Sequence, residues 1–364
     1  MSFRVFKYGS PLLVYFGALQ SFLGSGFVVV IPLLYAFVLI PLLELFLPAT
    51  DGNLSEAEAE LARRNPVYDW MLYAIVPLQW GALVLFLWQL RLPWSTCDLA
   101  AKTAVMGLLC GTFGINVGHE LGHRAKRTER FLAKLLLLSS LYMHFYIEHN
   151  RGHHKRVATP EDPSSARYGE WLYAFWIRSI VGSFVSAAEI SAKEVRKRGH
   201  SPLSIHNELL RFVLIEGALL AAVFLIFGAK ALLLFGAAAL MGILLLETVN
   251  YIEHYGLRRR PALSGVGYER AQPAHSWNSN HVIGRVMLFE LSRHSDHHYM
   301  ASRKYQLLQH HEGAPQMPTG YPGMMLLALV PPAWFAVMNP RAHAAGASTV
   351  VAPLANGPLV AEAK

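Results

Sequence analysis

The sequence predicts an all-α integral membrane protein, a bundle of six transmembrane helices carrying a histidine-rich cap on the cytosolic side. Apolar residues make up 53% of the 364 positions and charged residues only 15%, too few charges for an average soluble domain. Several windows approach or exceed the roughly 20 apolar residues that cross a bilayer. Eight of the 17 histidines gather in three short clusters, and the order of the apolar windows brings all three to one face.

Residues 4–48 are long enough for a helical hairpin turning near Gly24-Ser25-Gly26, with Arg4 and Lys7 interrupting its first arm. This apolar stretch runs on through Leu47 without the short apolar core and small-residue cleavage site of a signal peptide, so the first spans are expected to stay. DGNLSEAEAELARRNP, 51–66, reads as a polar loop. Residues 69–90 and 98–118 form a second hairpin around RLPWSTCD, and 208–227 and 229–252 a third around Gly228-Ala229-Lys230. An even number of spans puts both termini on one side, and the Arg- and Lys-rich segment 124–206 assigns that side to the cytosol. The apolar run RFLAKLLLLSSLYMHFYIEHN, 130–150, would break this arrangement as a seventh span and is read as an interfacial helix. Residues 1–340 form one membrane-embedded domain; 341–364, rich in Ala, Gly and Val without periodicity, reads as a flexible tail.

Composition also excludes. Two cysteines, Cys97 and Cys110, are too few for a disulfide framework or a four-thiolate iron centre. The net charge of +8 comes from residues flanking apolar spans, with no nucleic-acid-binding motif among them. Metal chemistry here must use nitrogen and oxygen.

The clusters are HELGH at 119–123, EHNRGHH at 148–154 and RHSDHH at 293–298, with His254 closing the sixth span. The pairs His119/His123, His149/His153 and His294/His298 are each four apart and would share a helix face, with His154 and His297 beside them. Neutral imidazole ligates iron, copper, zinc and nickel. Nine histidines oversupply one ion; two fit better. Taken singly, HELGH matches the HExxH helix of zinc proteases, with Glu120 as base, or a plain helix end. EHNRGHH alone reads as a solvated basic turn, and His254 alone as a hydrogen-bonded interface residue. Jointly they leave a protease with five or more histidines to spare. His144, His200, His206, His275, His281, His310, His311 and His343 receive no role, although His275 and His281 stand nearest the third cluster. Glu120, Glu148, Glu253, Asp296 and Asp162 are candidates to accept the second N–H of ligating rings, Asp296 foremost; for Asp296 the competing partner is Arg293.

In HELGHR, EHNRGHHKRVATPEDP, NYIEHYGL at 250–257, HSWNSNH at 275–281, RHSDHH and PTGYPG at 318–323, the chain from Pro41 to Pro340 resembles the integral-membrane alkane 1-monooxygenases of the membrane di-iron desaturase and hydroxylase superfamily. Acyl desaturases share three histidine boxes, but NYIEHYG and HSWNSNH are far more specific to the alkane hydroxylase branch. Leu291-Ser292 departs from the family's usual Leu-Gln before the third box, which affects surroundings and not ligands.

The resemblance implies two non-haem irons held by His119, His123, His149, His153, His154, His254, His294, His297 and His298, with dioxygen as co-substrate. It implies hydroxylation of the terminal methyl of medium- and long-chain n-alkanes in the bacterial inner membrane. Electrons would come from rubredoxin, supplied by a rubredoxin reductase; the low cysteine count excludes a fused rubredoxin. Rubredoxins are acidic, and Arg124, Lys126, Arg127, Arg151, Lys155 and Arg156 lie around the clusters, so this face is the expected docking patch. A methyl C–H bond offers a side chain no acid, leaving group or dipole, so a cofactor has to do the hard step. Chain-length preference would rest on residues lining an apolar tunnel, around Leu33 to Ile40. Two other readings stay open: a desaturase or hydroxylase of acyl or alkyl-aromatic substrates, and a divalent-metal transporter, whose ligands belong near the bilayer midplane.

Overall fold

The computed structural model describes residues 3–346 and, among them, is helical with no β-strand beyond two isolated bridges. The helices are α1 (Leu12–Leu23), α2 (Phe27–Phe46), α3 (Glu56–Arg64), α4 (Val67–Gln89), α5 (Thr96–Gly122) and α6 (Arg127–Ser139). They continue with α7 (145–156), α8 (Leu172–Lys197), α9 (Glu208–His254), α10 (Val282–Met287), α11 (His294–Tyr299), α12 (Tyr321–Ala328) and α13 (Pro331–Ala344).

Four helices, α2, α4, α5 and α9, are long and apolar enough to cross a membrane. Large apolar side chains stand outward on them, among them Phe27, Phe46, Trp88, Leu225 and Leu233. In water such a belt would be costly; against lipid it is the ordinary surface. The hairpin turns fall where the glycines placed them. Gly24 to Gly26 separates α1 from α2, and α9 breaks at Gly228, whose φ of 83° no L side chain adopts easily. The three turns meet at one end of the bundle: the Gly26 amide donates to Asp98 Oδ1 at 2.8 Å and Arg91 donates to the Ile226 carbonyl at 2.9 Å. Buried Lys102 donates to the carbonyls of Ser21, Phe22 and Gly24 there, closing the open end of α1.

Helices α5 and α9 approach closely where they cross. A Cβ on Gly242 would lie 2.6 Å from Cys110 Cβ, and one on Gly107 would lie 2.8 Å from Met241 Cβ. Small residues one turn apart let two backbones approach, the packing that lipid-embedded helices favour.

Three sequence expectations change. The run 130–150 is not one helix: α6 ends at Ser139, and Leu141 takes φ 52°. The Tyr142 amide donates to the Leu137 carbonyl and the Leu141 amide to that of Leu138, a Schellman stop without its usual glycine. The loop 51–66 holds α3, started by a Ser55–Glu58 capping box. Residues 341–344 continue α13, while 347–364, the rest of the expected tail, lie outside the described residues. Helix α8 was not anticipated; its serines 179, 183, 186 and 191 face inward, and their spacing hides the amphipathic pattern in a basic segment.

Replacing Gly242 by Ala should lower the stability of the detergent-solubilised protein by about 1–3 kcal/mol through overpacking. A melting temperature equal to the wild type's would show that the α5–α9 crossing has slack.

Candidate metal centre

At the end of the bundle opposite the hairpin turns, nine imidazoles converge. His119 and His123 come from the last turn of α5 and the residue after it, and His254 closes α9. His149, His153 and His154 come from α7, and His294, His297 and His298 from α11. They form two groups whose ligand atoms lie within 4.8 Å of one another: His119, His123, His149, His154 and His297 in one, and His153, His254, His294 and His298 in the other.

The division departs from simple four-apart pairing. His149–His153 is a π-helical turn, one residue wider than an α turn. It puts His149 and His154, five apart, into the same group and turns His153 toward the other. In α11 an ordinary turn separates His294 and His298 from His297. Two short elements therefore each feed both groups.

The rings meet through Nε2. His123–His149, His149–His154, His154–His297 and His297–His119 are separated by 3.1, 3.0, 3.1 and 2.9 Å. In the second group His153–His298, His298–His294 and His294–His254 are 3.2, 2.8 and 3.3 Å apart. An imidazole nitrogen carries either one proton or one in-plane lone pair. It can satisfy one such contact, whereas His149, His154, His297, His294 and His298 each make two. A central ion satisfies all of them together. With a metal–nitrogen bond of roughly 2.1 Å, the length zinc makes, neighbouring ligand nitrogens fall about 3 Å apart. The donor set fits two metal ions held by neutral imidazole. Burial, and then the neighbouring rings, hold His149, His154, His294, His297 and His298 well below the usual imidazole range, so they are in the ligating form.

The five candidate carboxylates part company. Asp162 Oδ2 accepts from His153 Nδ1 at 2.9 Å and from Ser165 at 2.5 Å. Burial works against charge on His153, but Asp162, with Glu148 and Glu247 behind it, raises the ring's pKa. Glu253 Oε2 lies 3.1 Å from His294 Nε2, on the ligand side of the ring, with Tyr321 facing its carboxylate. Glu120 takes Arg124 and the Tyr305 amide, and Glu148 takes Arg156. Asp296 accepts both bonds from Arg303 and one from His311, and touches no ligand ring. Arg293, its expected competitor, is bound instead to Gly52, Asn53 and Leu308. A carboxylate inside a histidine box invites assignment to its neighbours, but on a helix of six residues the Asp296 side chain leaves from the face opposite the rings.

HSWNSNH proves to be a brace. Asn278 Oδ1 accepts from the Ser295 amide at 2.8 Å while its Nδ2 donates to Ser295 Oγ at 2.7 Å. The Trp277 amide donates to the Glu253 carbonyl, and Trp277 Nε1 donates to that of Tyr255. The segment thus ties α11 to the end of α9. The rings of His275 and His281 stay outside both groups; Ser276 beside them reaches His254 Nδ1 at 3.4 Å. His311, given no role from sequence, and Ser165 and Tyr321 are additions that only tertiary contacts reveal.

Of the basic residues around the clusters, Lys126, Arg127 and Lys155 are exposed. Arg124 is buried against Asp69 and Glu120, Arg151 pairs with Glu194 and Glu208, and Arg156 with Glu148. A polar cavity of about 840 Å³ bounded by His123, Lys126, Arg130, Arg198 and Lys304 opens beside the first group.

An apolar cavity of about 80 Å³ lies on the other side, between α2, α5, α9, α10 and α12. Tyr35, Ala36, Phe37 and Ile40 of α2 line it, and the π-helical segment Tyr35–Leu39 gives that helix its wide turn there. Its inner wall includes Asn116, one turn before His119; Val249, one turn before Glu253; and Leu291, three residues before His294. A second apolar depression of about 180 Å³ shares Phe37, Leu245 and Met325 with it and is open on the outer surface.

A helical, membrane-type bundle with nine converging histidines defines the class of histidine-box membrane oxidoreductases, and the fatty acid desaturase family model matches residues 99–328. The chain is 38% identical to an alkane 1-monooxygenase of Ectopseudomonas oleovorans, covering 92% of this chain and 78% of the relative. It is 40% identical to alkane 1-monooxygenase 2 of Pseudomonas aeruginosa, over 85% and 82%. With the xylene/toluene monooxygenase hydroxylase component of Pseudomonas putida the identity is 32%, over 63% and 60%. The chain belongs to the alkane 1-monooxygenase family of the membrane di-iron superfamily and is a monooxygenase.

Asp162→Asn should weaken metal retention about 10- to 100-fold, because a neutral amide orients the His153 ring poorly. His297→Ala should lose metal, while exposed His343→Ala should keep it. Metal content per chain at equal membrane levels checks all three; equal content throughout would remove the case for these assignments.

Proposed function

We propose that this protein hydroxylates the terminal methyl group of medium- and long-chain n-alkanes to 1-alkanols with dioxygen, at two non-haem irons, one in each histidine group. The observation that carries the reading is the apolar cavity lined by Asn116, one turn before His119 of one group, and by Leu291, three residues before His294 of the other. Apart from Tyr35, Thr112 and Asn116 its walls are apolar, and among the described residues no cation lines it, so an alkyl chain is held there by shape while an acyl carboxylate finds no charged partner. When bound, the iron pair supplies dioxygen activation and C–H cleavage. The chain's own part is to hold nine imidazole rings, to fix their orientation through Asp162 and Asn278, and to admit the methyl end of the chain while keeping water out. The outer depression, sharing Phe37, Leu245 and Met325 with the cavity, supports entry of substrate from the bilayer.

Six spans are the arrangement we favour: α1, α2, α4, α5 and the two arms of α9 on either side of Gly228. In support, the three hairpin turns meet at one end and the histidines at the other, where the flanking basic segments favour a cytosolic side; a bacterial inner membrane is part of this reading. Ligands at helix ends suit a metal transporter poorly. Electrons would come from a separate rubredoxin, reduced by its reductase and docking on the exposed Lys126, Arg127 and Lys155 beside the polar cavity. Arg124, Arg151 and Arg156, already paired, serve the scaffold in this reading.

Protein expressed with ample iron should carry two irons per chain and convert octane to 1-octanol; a single zinc and no product would sink the proposal. Changing Lys126, Arg127 and Lys155 together to Glu should raise the rubredoxin concentration giving half-maximal turnover, more at low salt than at high, since such attraction is screened over about 8 Å at physiological ionic strength. An unchanged half-saturation point at both salts would exclude docking there.

A further inference from the structure

The apolar cavity is not wholly apolar. Three side chains with polar groups line it: Tyr35, Thr112 and Asn116. The Tyr35 hydroxyl is taken by Met287 Sδ at 3.6 Å. Asn116 is 5% exposed, and its Nδ2 donates to the Leu288 carbonyl at 3.1 Å. Among the described residues no donor reaches Asn116 Oδ1, and nothing bonds Thr112 Oγ1. Neither oxygen is sealed off in the packing, so each can be reached from the cavity, and an octane chain filling it can donate to neither.

The position adds meaning. Thr112 and Asn116 are four apart across the end of the π-helical segment Cys110–Ile115, and Asn116 stands one turn before His119. They occupy the end of the cavity where the oxidised carbon would lie. One offers an acceptor; the other offers a hydroxyl that donates and accepts. That pair is complementary to an alcohol, whose O–H can donate to Asn116 Oδ1 while its oxygen accepts from Thr112 Oγ1–H.

We propose that Thr112 and Asn116 form a hydroxyl-binding site that receives the 1-alkanol product and distinguishes it from the alkane. The site rests on the reading of the cavity as the substrate site. It draws the new hydroxyl away from the ligand rings and makes the product a competitor of the substrate. Its polarity discriminates by what is left unpaired: the alkane strands both groups, the alcohol satisfies both.

The test is equilibrium binding of radiolabelled 1-octanol and octane to the full-length, metal-loaded protein in nanodiscs without reductant, corrected for empty nanodiscs. Thr112→Val, close in shape to the wild type, should weaken 1-octanol about tenfold, the scale of one lost hydrogen bond, and leave octane unchanged or slightly tighter. Asn116→Leu should do the same; if it also loses metal through the broken bond to Leu288, Thr112→Val decides. Equal weakening of both ligands, or unchanged 1-octanol binding in Thr112→Val, overturns the proposal while leaving the cavity in place. A wild type that binds octane no better than empty nanodiscs overturns the cavity reading, and this site with it.

Discussion

Bringing nine imidazole nitrogens to within about 3 Å of their neighbours is the demand that shapes the rest of this molecule. Each ring offers one lone pair along one direction, and each must be dehydrated and aimed before any ion can be shared. No single helix can do this, because its side chains fan out around the axis. The protein uses the ends of two long helices and two short ones laid across them, and much of the remaining polar structure at that end holds those four pieces in register. Asn278 clamps α11, Trp277 clamps the end of α9, and Asp162 with Ser165 fixes the ring of His153. Glu290, held near a pKa of about 2 by Arg285 and Lys7 against the opposing effect of burial, anchors the backbone just ahead of α11, where Phe289 and Glu290 both take positive φ.

Much of this was readable from residue order. The hairpin turns followed from glycines between apolar runs, and the ligand histidines from their density, because imidazoles this crowded have no good apolar or solvated alternative. What sequence could not give was the partition of the rings. A π-helical turn has no residue signature, so His149, His153 and His154 look like an ordinary four-apart pair with a neighbour. The stop at Leu141 was hidden for a related reason: the expected marker is glycine, and a leucine stands there instead.

Charged residues were the least readable. Arg124, Arg151 and Arg156 look like a solvated basic face on the page; in the fold Arg124 and Arg156 neutralise buried carboxylates, and Arg151 pairs with the half-buried Glu194 and Glu208. Asp296 looked like a partner of the rings beside it and instead tethers its helix to Arg303 and His311. Charge identity is local in sequence, but charge pairing is decided by segments far apart, such as Asp69 with both Arg124 and Lys304.

Helix α9 joins two tasks on one rod. Leu245, Leu246 and Val249 form one wall of the cavity, and Glu253 and His254 follow on the same unbroken stretch. The opposite wall, Tyr35 to Ile40 on α2, carries no ligand at all. The two walls therefore differ in how freely they can vary. A larger or smaller residue on the α9 side pushes or releases a helix that ends in a metal-binding ring, so altered fit is felt as altered coordination. On the α2 side the same change of volume meets lipid and a helix that ends in no ligand ring, tied instead to the Gly284 amide through Glu44, so altered fit there leaves the rings where they are.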